Sequence, residues 1–127
     1  MPNGFHHITL RVTDLARARD FYEGVLGFEV DQDFPGRKLR LRPGGTDTRL
    51  VLVPALPGTP GGDRFSERRI GLDHLAIGIG SRAELDRMAE ALRVAGVPVA
   101  LNQDAVGNAI VHFRDPDNFQ WELFGED

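Results

Sequence analysis

Two stretches of the sequence share one pattern, and this repeat constrains the fold more than any other feature. Gly71 to Ile79 alternates with period two, so one strand face would carry Leu75, Ile77 and Ile79. The opposite face would carry His74, Ala76 and Gly78. Phe5 to Val12 alternates in the same way, with His7, Thr9 and Arg11 on one face. Because small side chains follow His74 on its own face, this histidine should have open space beside it, as a ligand position over a cavity would.

Each of these strands precedes a segment with helical spacing of apolar residues. The first helix is predicted over Asp14 to Leu26, with Asp14 or Thr13 capping its start and Gly27 ending it. Its apolar stripe comprises Leu15, Ala18, Phe21, Tyr22 and Val25. The second helix is predicted over Ser81 to Ala95, with a capping box of Ser81 and Glu84 and a stop at Gly96. Its stripe comprises Leu85, Met88, Ala89 and Leu92. Superposing His7 on His74 therefore gives an internal repeat with an offset of 67 residues.

The rest of each half predicts three further strands, so that each half reads β-α-β-β-β. In the first half these are Phe28 to Val30, Arg37 to Arg42 and Thr48 to Val53, with a turn-rich segment at 31–36. In the second half they are Val97 to Leu101, Ala109 to Arg114 and Phe119 to Phe124. Asp115 to Asn118 should form a tight turn, with Asn118 in the left-handed conformation. The prediction is one α+β domain, 1–127, made of module 5–54, linker 55–71 and module 72–127.

The linker is rich in proline, glycine and arginine, and Phe65 is its only aromatic residue. Its composition suits either a solvated connection or a mobile flap.

Composition limits the classes of function. A net charge of −4 gives no basic footprint for nucleic acid, and no run of about 18 apolar residues offers a membrane span. The absence of cysteine excludes disulfides and a thiol nucleophile. No charged-then-apolar leader precedes Phe5, which favours a cytoplasmic protein.

Glu122 is unusual because it lies between Trp121 and Leu123 in an apolar strand. A carboxylate is costly to bury unless it is paired, and a cation held by two imidazoles would be a sufficient partner. The alternative is an exposed face of an edge strand. A lone histidine is likewise more often structural than a ligand, but His7 and His74 occupy equivalent positions in the repeat. His6 has the opposite parity and should not join them.

The motifs together resemble the vicinal oxygen chelate superfamily, which includes glyoxalase I, fosfomycin-resistance transferases, extradiol dioxygenases and bleomycin-resistance proteins. The resemblance rests on His7 to Val12, Asp14-Leu15, Phe21-Tyr22, Leu26 to Phe28, Leu72 to Ala76, and Arg114 to Asn118 with Glu122 shortly after. It implies paired βαβββ modules forming a curled mixed sheet around an open cleft, with helices on the outer face. It also implies a homodimer.

By the same resemblance, His7, His74 and Glu122 match the metal ligands of the family. This 2-His-1-carboxylate set would bind a divalent metal (Mn, Fe, Ni, Co or Zn) and leave positions for a small oxygenated substrate chelated to it. The reaction could be an isomerisation, a thiol or water addition, or a dioxygenase ring cleavage. Glyoxalase I has a further carboxylate on the last strand of its first module, where this chain has Leu50 to Val53. That difference favours the members with three ligands.

Four further residues are candidates for roles in the site. His112 lies where related transferases and dioxygenases have a tyrosine that reaches the substrate, so it could be a general acid or base, or a solvent-exposed histidine of an edge strand. Thr9 and Arg11 share the face of His7 and could contact an anionic or oxygen-rich substrate, Thr9 in a catalytic and Arg11 in a binding role. Gln120 shares the face of Glu122 and is a candidate substrate-binding residue.

Three functions compete on these grounds. The first is a metalloenzyme, and the second is a metal-free, drug-sequestering protein of the bleomycin-resistance type. The third is a structural or regulatory dimer that has kept the fold and lost the chemistry. The ligand set favours the first.

Overall fold

A computed structural model describes residues 1–45 and 47–125, which form two compact units, Met1–Asp63 and Arg64–Asp127. In the first unit, strand β1 (His7–Val12) is followed by helix α1 (Leu15–Arg19), a π-helix (Asp20–Val25), and strands β2 (Glu29–Phe34), β3 (Lys38–Arg42) and β4 (Arg49–Pro54). The second unit contains β5 (Leu75–Ile79), α2 (Arg82–Val94), β6 (Ala100–Gln103), β7 (Ala109–Arg114) and β8 (Gln120–Gly125). The predicted α+β class, with a β-α-β-β-β order in each half, is confirmed.

The first unit contains a four-stranded mixed sheet in the order β1-β4-β3-β2. Strand β1 pairs with β4 in parallel, and the other pairs are antiparallel. One face is the core, where the buried residues are Leu10, Val12, Leu39, Leu41, Leu50 and Leu52. Helix α1 contacts β3 and β4 and, together with the π-helix, contributes buried Ala18, Phe21 and Tyr22. Alternation along the strands therefore puts His7, Thr9 and Arg11 on the other face, as predicted.

The sequence predicted one α-helix here, but the structure has a short α-helix followed by a π-helix. Asp14 caps it, since its side chain accepts a hydrogen bond from the Arg17 N–H at 3.0 Å. After Arg19 the chain widens into the π-helix, and the Leu26 N–H donates to the Phe21 carbonyl at 3.0 Å. Helical spacing of apolar residues cannot separate these two helix types, because both bury one face. Gly27 ends the helix with a φ of 73°.

Strand β2 is longer than predicted, because it continues through the segment that the sequence analysis assigned to a turn. The turn shrinks to Pro35 and Gly36, where the Arg37 N–H donates to the Phe34 carbonyl at 2.9 Å. The strand carries a β-bulge between Val30 and Gln32. Asp31 is the residue inside the bulge, and Arg40 and Arg49 compensate its charge. The strand can therefore continue through this polar segment.

The second unit repeats the design with the sheet order β5-β8-β7-β6 and a parallel β5–β8 pair. Its core face carries buried Val111, Phe113, Phe119, Trp121 and Leu123. Helix α2 contacts β5, β7 and β8 and buries Leu85, Ala89 and Leu92. Ser81 caps this helix as predicted, since its Oγ accepts from the Glu84 N–H at 3.2 Å.

Three strand starts in the second unit differ from the prediction, and the smallest difference is at β8, which begins at Gln120 and not at Phe119. Strand β5 begins at Leu75, so His74 lies one residue before it. Strand β6 begins at Ala100, later than the predicted Val97. Pro98 has no N–H to donate to a ladder, which explains the late start. The Asp115–Asn118 turn forms as expected, with Asn118 at a φ of 71°.

The C-terminal part of the predicted linker is attached to the second unit. The Phe65 ring packs edge-on against Phe119 with 4.7 Å between centroids, and the Phe65 N–H donates to the Asp117 carbonyl at 3.0 Å. The Asn118 amide donates back to the Phe65 carbonyl at 3.0 Å. These contacts anchor the linker at Phe65, while residues 68–71 are exposed. Among the described residues, no helix combines the length and apolar character that crossing a membrane requires.

Candidate active site

The second sheet brings His112 and Glu122 side by side on the face opposite its core. Strands β7 and β8 pair His112 with Glu122, and strands β5 and β8 pair Ala76 with Glu122. We call this the polar face of the second sheet, and its members are His74, Ala76, Gly78, Ile110, His112, Arg114, Gln120, Glu122 and Phe124. Ala76, one of the two small residues that follow His74 on its face, is paired with Glu122 across the sheet.

Glu122 lies between two imidazole rings. Its Oε1 is 3.4 Å from Nε2 of His74, and its Oε2 is 3.3 Å from Nδ1 of His112. The Glu122 side chain is 17% exposed, against 36% for His74 and 29% for His112. The carboxylate is thus largely buried, with one ring nitrogen near each of its oxygens.

Asp73 fixes the orientation of His74. Its Oδ1 lies 2.6 Å from Nδ1 of His74, so Nε2 is the nitrogen that faces Glu122. The Gln120 amide in turn donates to the Asp73 carbonyl at 3.2 Å and to Oδ1 at 3.1 Å. Gln120, predicted to contact substrate, therefore has a structural partner in Asp73.

Arg114 connects the site to the segment that precedes β5. It donates to Oε1 of Gln120 at 3.3 Å and to Oε2 of Glu67 at 2.5 Å. The hydrogen bond from Arg114 holds the pKa of the Glu67 carboxyl below its usual range. A continuous polar network therefore runs from Glu67 through Arg114, Gln120 and Asp73 to His74.

The remaining predicted site residues lie on the first sheet. His7 is exposed, and its Nδ1 is 2.8 Å from Nδ1 of His6, so one of these nitrogens must donate to the other. Arg11 donates from Nη1 to the Pro54 carbonyl at 2.9 Å, and Thr9 is exposed between them on the same face. The predicted ligands are thus divided, with His7 in the first unit and His74 and Glu122 in the second.

Two of the proposed ligands have a separation that suits a metal. Ligand atoms about 2.1 Å from an ion and spread at tetrahedral angles lie roughly 3.4 Å apart. The Nε2 of His74 and Oε1 of Glu122 have this separation of 3.4 Å. Within residues 1–45 and 47–125, no three His, Asp or Glu side chains form a metal-binding group in the present arrangement. The donor types and the separation of this pair fit a divalent ion.

Sequence reasoning missed Asp73, Glu67 and Arg114 as parts of the site. Asp73 immediately precedes His74, and a carboxylate next to a candidate ligand is a recognisable sign of an orienting partner. Glu67 and Arg114 are 47 positions apart, so no local pattern could have paired them.

A profile of the Glyoxalase/Bleomycin resistance protein/Dioxygenase superfamily matches residues 4–123. Because this match covers nearly the whole chain, the chain belongs to this superfamily. No curated protein is significantly similar to it in sequence.

Solved structures agree with this assignment. The glyoxylase/bleomycin resistance protein/dioxygenase domain from Frankia sp. EAN1pec shares 28% identity and a TM-score of 0.87, with 100% of each chain covered. TnmS3, an antibiotic binding protein from Streptomyces sp. CB03234, shares 26% identity and a TM-score of 0.74, with 99% of this chain and 98% of that chain covered. The fosfomycin resistance protein FosX from Mesorhizobium loti is similar in fold, with 24% identity, a TM-score of 0.72 and coverage of 100% and 95%.

Proposed function

We propose that this protein is a divalent-metal-dependent enzyme that acts on a small oxygenated substrate. In this proposal His7, His74 and Glu122 hold the metal, and His112 is the general acid or base. The observation that carries it is the position of Glu122, whose two oxygens face nitrogens of His74 and His112 at 3.4 and 3.3 Å.

Asp73 supports a ligand role for His74. When the carboxylate accepts the proton on Nδ1, the lone pair of Nε2 is left facing Glu122. A bound divalent ion would supply a Lewis acid for vicinal oxygens of the substrate. The protein would supply the orientation, because Gln120 and Arg114 hold Asp73 in place.

His112 is placed to move a proton near that position. Its Nδ1 is 3.3 Å from Glu122, and its side chain is 29% exposed, so a substrate could reach the ring. Proton transfer by a positioned histidine contributes about 10² to 10⁴-fold to enzymatic rates. Thr9 and Arg11 would contact substrate oxygens from the face that carries His7.

The first sheet argues against a glyoxalase I reaction. On β4, the residues that share the face of His7 are Arg49, Val51 and Val53, so no carboxylate is available there as a fourth ligand. We therefore favour a transferase, dioxygenase or isomerase with three protein ligands. A homodimer and a cytoplasmic location stay predictions.

A second candidate is binding of a drug without catalysis. It is favoured by the similarity to TnmS3, which is described as an antibiotic binding protein. Sequestration needs no metal, so metal content separates the two functions.

The test measures divalent metals in protein purified without chelator, followed by calorimetric titration of the chelator-treated protein with Mn²⁺ and Zn²⁺. We expect stoichiometric binding that His74→Ala and Glu122→Gln each reduce by at least tenfold. Glu84→Gln, an acid on helix α2, is the matched control. Equal affinity in all four proteins, or only trace metal and no titration, would contradict the enzyme and favour sequestration.

A further inference from the structure

Positive charge is concentrated on one face of the first sheet, although the chain carries a net charge of −4. This face is the one opposite the core, and we call it the basic face. Its basic residues are Arg11, Lys38, Arg40, Arg42 and Arg49. Its acidic residues are Glu29 and Asp31, which leaves an excess of three positive charges. His7 lies on the same face, in register with Arg49.

Arg40 and Arg49 are held by one shared carboxylate. Oδ1 of Asp31 accepts from Nε of Arg40 at 2.9 Å, and Oδ2 accepts from Nε of Arg49 at 2.7 Å. Arg49 also donates from Nη1 to the Asp47 carbonyl at 2.9 Å. These bonds keep the pKa of the Asp31 carboxyl below its usual range, chiefly through Arg40.

The bulge in β2 makes this arrangement possible. Asp31 is the extra residue between Val30 and Gln32, and a bulge re-aims the side chain of its strand. Its carboxylate therefore reaches across β3 to Arg49 on β4. Among the described residues, Arg40 is bonded only through Nε, which leaves both terminal nitrogens of its fork available, and its side chain is 32% exposed.

We propose that Arg40 is a substrate-binding residue that recognises an oxyanion, a carboxylate or a phosphoryl-type group, on the molecule the enzyme acts on. Asp31 is its positioning residue. Arg40 and Thr9 both pair with Val51 across the sheet, so Arg40 lies in the same row as Thr9 and about 10 Å from it. That spacing suits a small molecule with one anionic end at Arg40 and its reacting oxygens near His7. The role in substrate recognition rests on the proposed enzyme function.

The test uses ¹⁵N-labelled, chelator-treated protein, so that a failure of the metal proposal leaves the result unaffected. Inorganic phosphate and acetate are titrated separately at fixed low ionic strength, and shifts are followed for the amides of 38–42 and 49–53 and the Nε–H of Arg40. We expect saturable shifts with at least one of the two probes. Saturation by phosphate alone, or by acetate alone, would identify which oxyanion the basic face prefers.

Three variants distinguish specific recognition by Arg40 from attraction by net charge. Arg40→Gln should weaken probe binding by about tenfold, because it removes a charge-assisted bidentate partner. Arg93→Gln, which removes the same charge from helix α2, should leave it unchanged. Asp31→Asn makes the face more positive, yet it should also weaken binding several-fold because Arg40 loses its anchor.

The spectra of each variant report whether it is folded. No saturable shift with either probe, equal losses in Arg40→Gln and Arg93→Gln, or tighter binding in Asp31→Asn would each overturn the proposal. The last result would show that unspecific attraction by net charge is sufficient.

Discussion

Oδ1 of Asp73 lies 2.6 Å from Nδ1 of His74, while the other ring nitrogen of His74 faces Glu122 at 3.4 Å. This is the arrangement that orients a metal-binding histidine, because the carboxylate selects the tautomer and raises the basicity of the ligating nitrogen. The Asp73 side chain is 64% exposed, so its ability to orient His74 depends on the short distance between them more than on burial.

Asp73→Asn should therefore weaken divalent metal binding without unfolding the protein. The loss of such an orienting partner costs about 10 to 100-fold in metal affinity. Calorimetric titration with Mn²⁺ or Zn²⁺ measures it, and circular dichroism checks the fold. Asp86→Asn, an exposed acid on helix α2, is the control. Equal affinities in both variants would remove Asp73 from the site.

The attachment of Phe65 predicts a pattern of proteolysis. Arg68 and Arg69 are exposed tryptic sites directly after the segment that Phe65 and Glu67 tie to the second unit. Phe65→Ala should speed cleavage there by roughly three to tenfold, since an aromatic pair is worth about 0.5–1.5 kcal/mol. Mass spectrometry of timed digests identifies the bonds that are cut.

Leu56→Ala is the matched control for this digestion, because Leu56 is 58% exposed and lies in the first unit. Cleavage after Arg68 and Arg69 at the same rate in wild type and Phe65→Ala would mean that the attachment is not populated in solution.

The sequence predicts the fold well where local periodicity decides it. Alternation placed Thr9 and Arg11 on the face of His7, and Gln120 on the face of Glu122. The predictions were wrong where tertiary partners decide. Asp31 continues a strand because Arg40 and Arg49 compensate its charge, and neither arginine is a neighbour in sequence.

The candidate site shows the same limit. A strand pattern gives the face of a residue but not its partner, so the hydrogen bond from Gln120 to Asp73 could not be predicted. His7 belongs to the first unit, and His74 and Glu122 belong to the second. No sequence pattern within one module can predict whether residues of different units bind the same ion.

Acid should remove the contribution of Asp31 to stability. Its folded-state pKa is lowered by Arg40, so the unfolded state binds more protons in acid and stability falls as pH falls. Asp31→Asn should lower the free energy of unfolding by about 1–2 kcal/mol near neutral pH. The difference from wild type should shrink below about pH 4, the ordinary range of an aspartate, because a protonated Asp31 resembles asparagine.

Urea unfolding at pH 7 and pH 3 measures both differences. Asp63→Asn, at an exposed position, controls for the loss of one carboxylate. A difference between Asp31→Asn and wild type that is as large at pH 3 as at pH 7 would contradict an ionic role for Asp31.

Two glycines of the second sheet should respond differently to the same added methyl group. A Cβ at Gly125 would lie 2.8 Å from Cδ2 of Leu85, which is fully buried, whereas a Cβ at Gly78 would meet no atom of the described residues within 4 Å. Gly125→Ala should therefore destabilise the protein by about 1–3 kcal/mol, the usual cost of overpacking. Gly78→Ala should be neutral or slightly stabilising, because alanine loses less backbone entropy in a strand. Thermal unfolding of both variants tests this, and equal melting temperatures would show that Leu85 and α2 can shift to accept the methyl group.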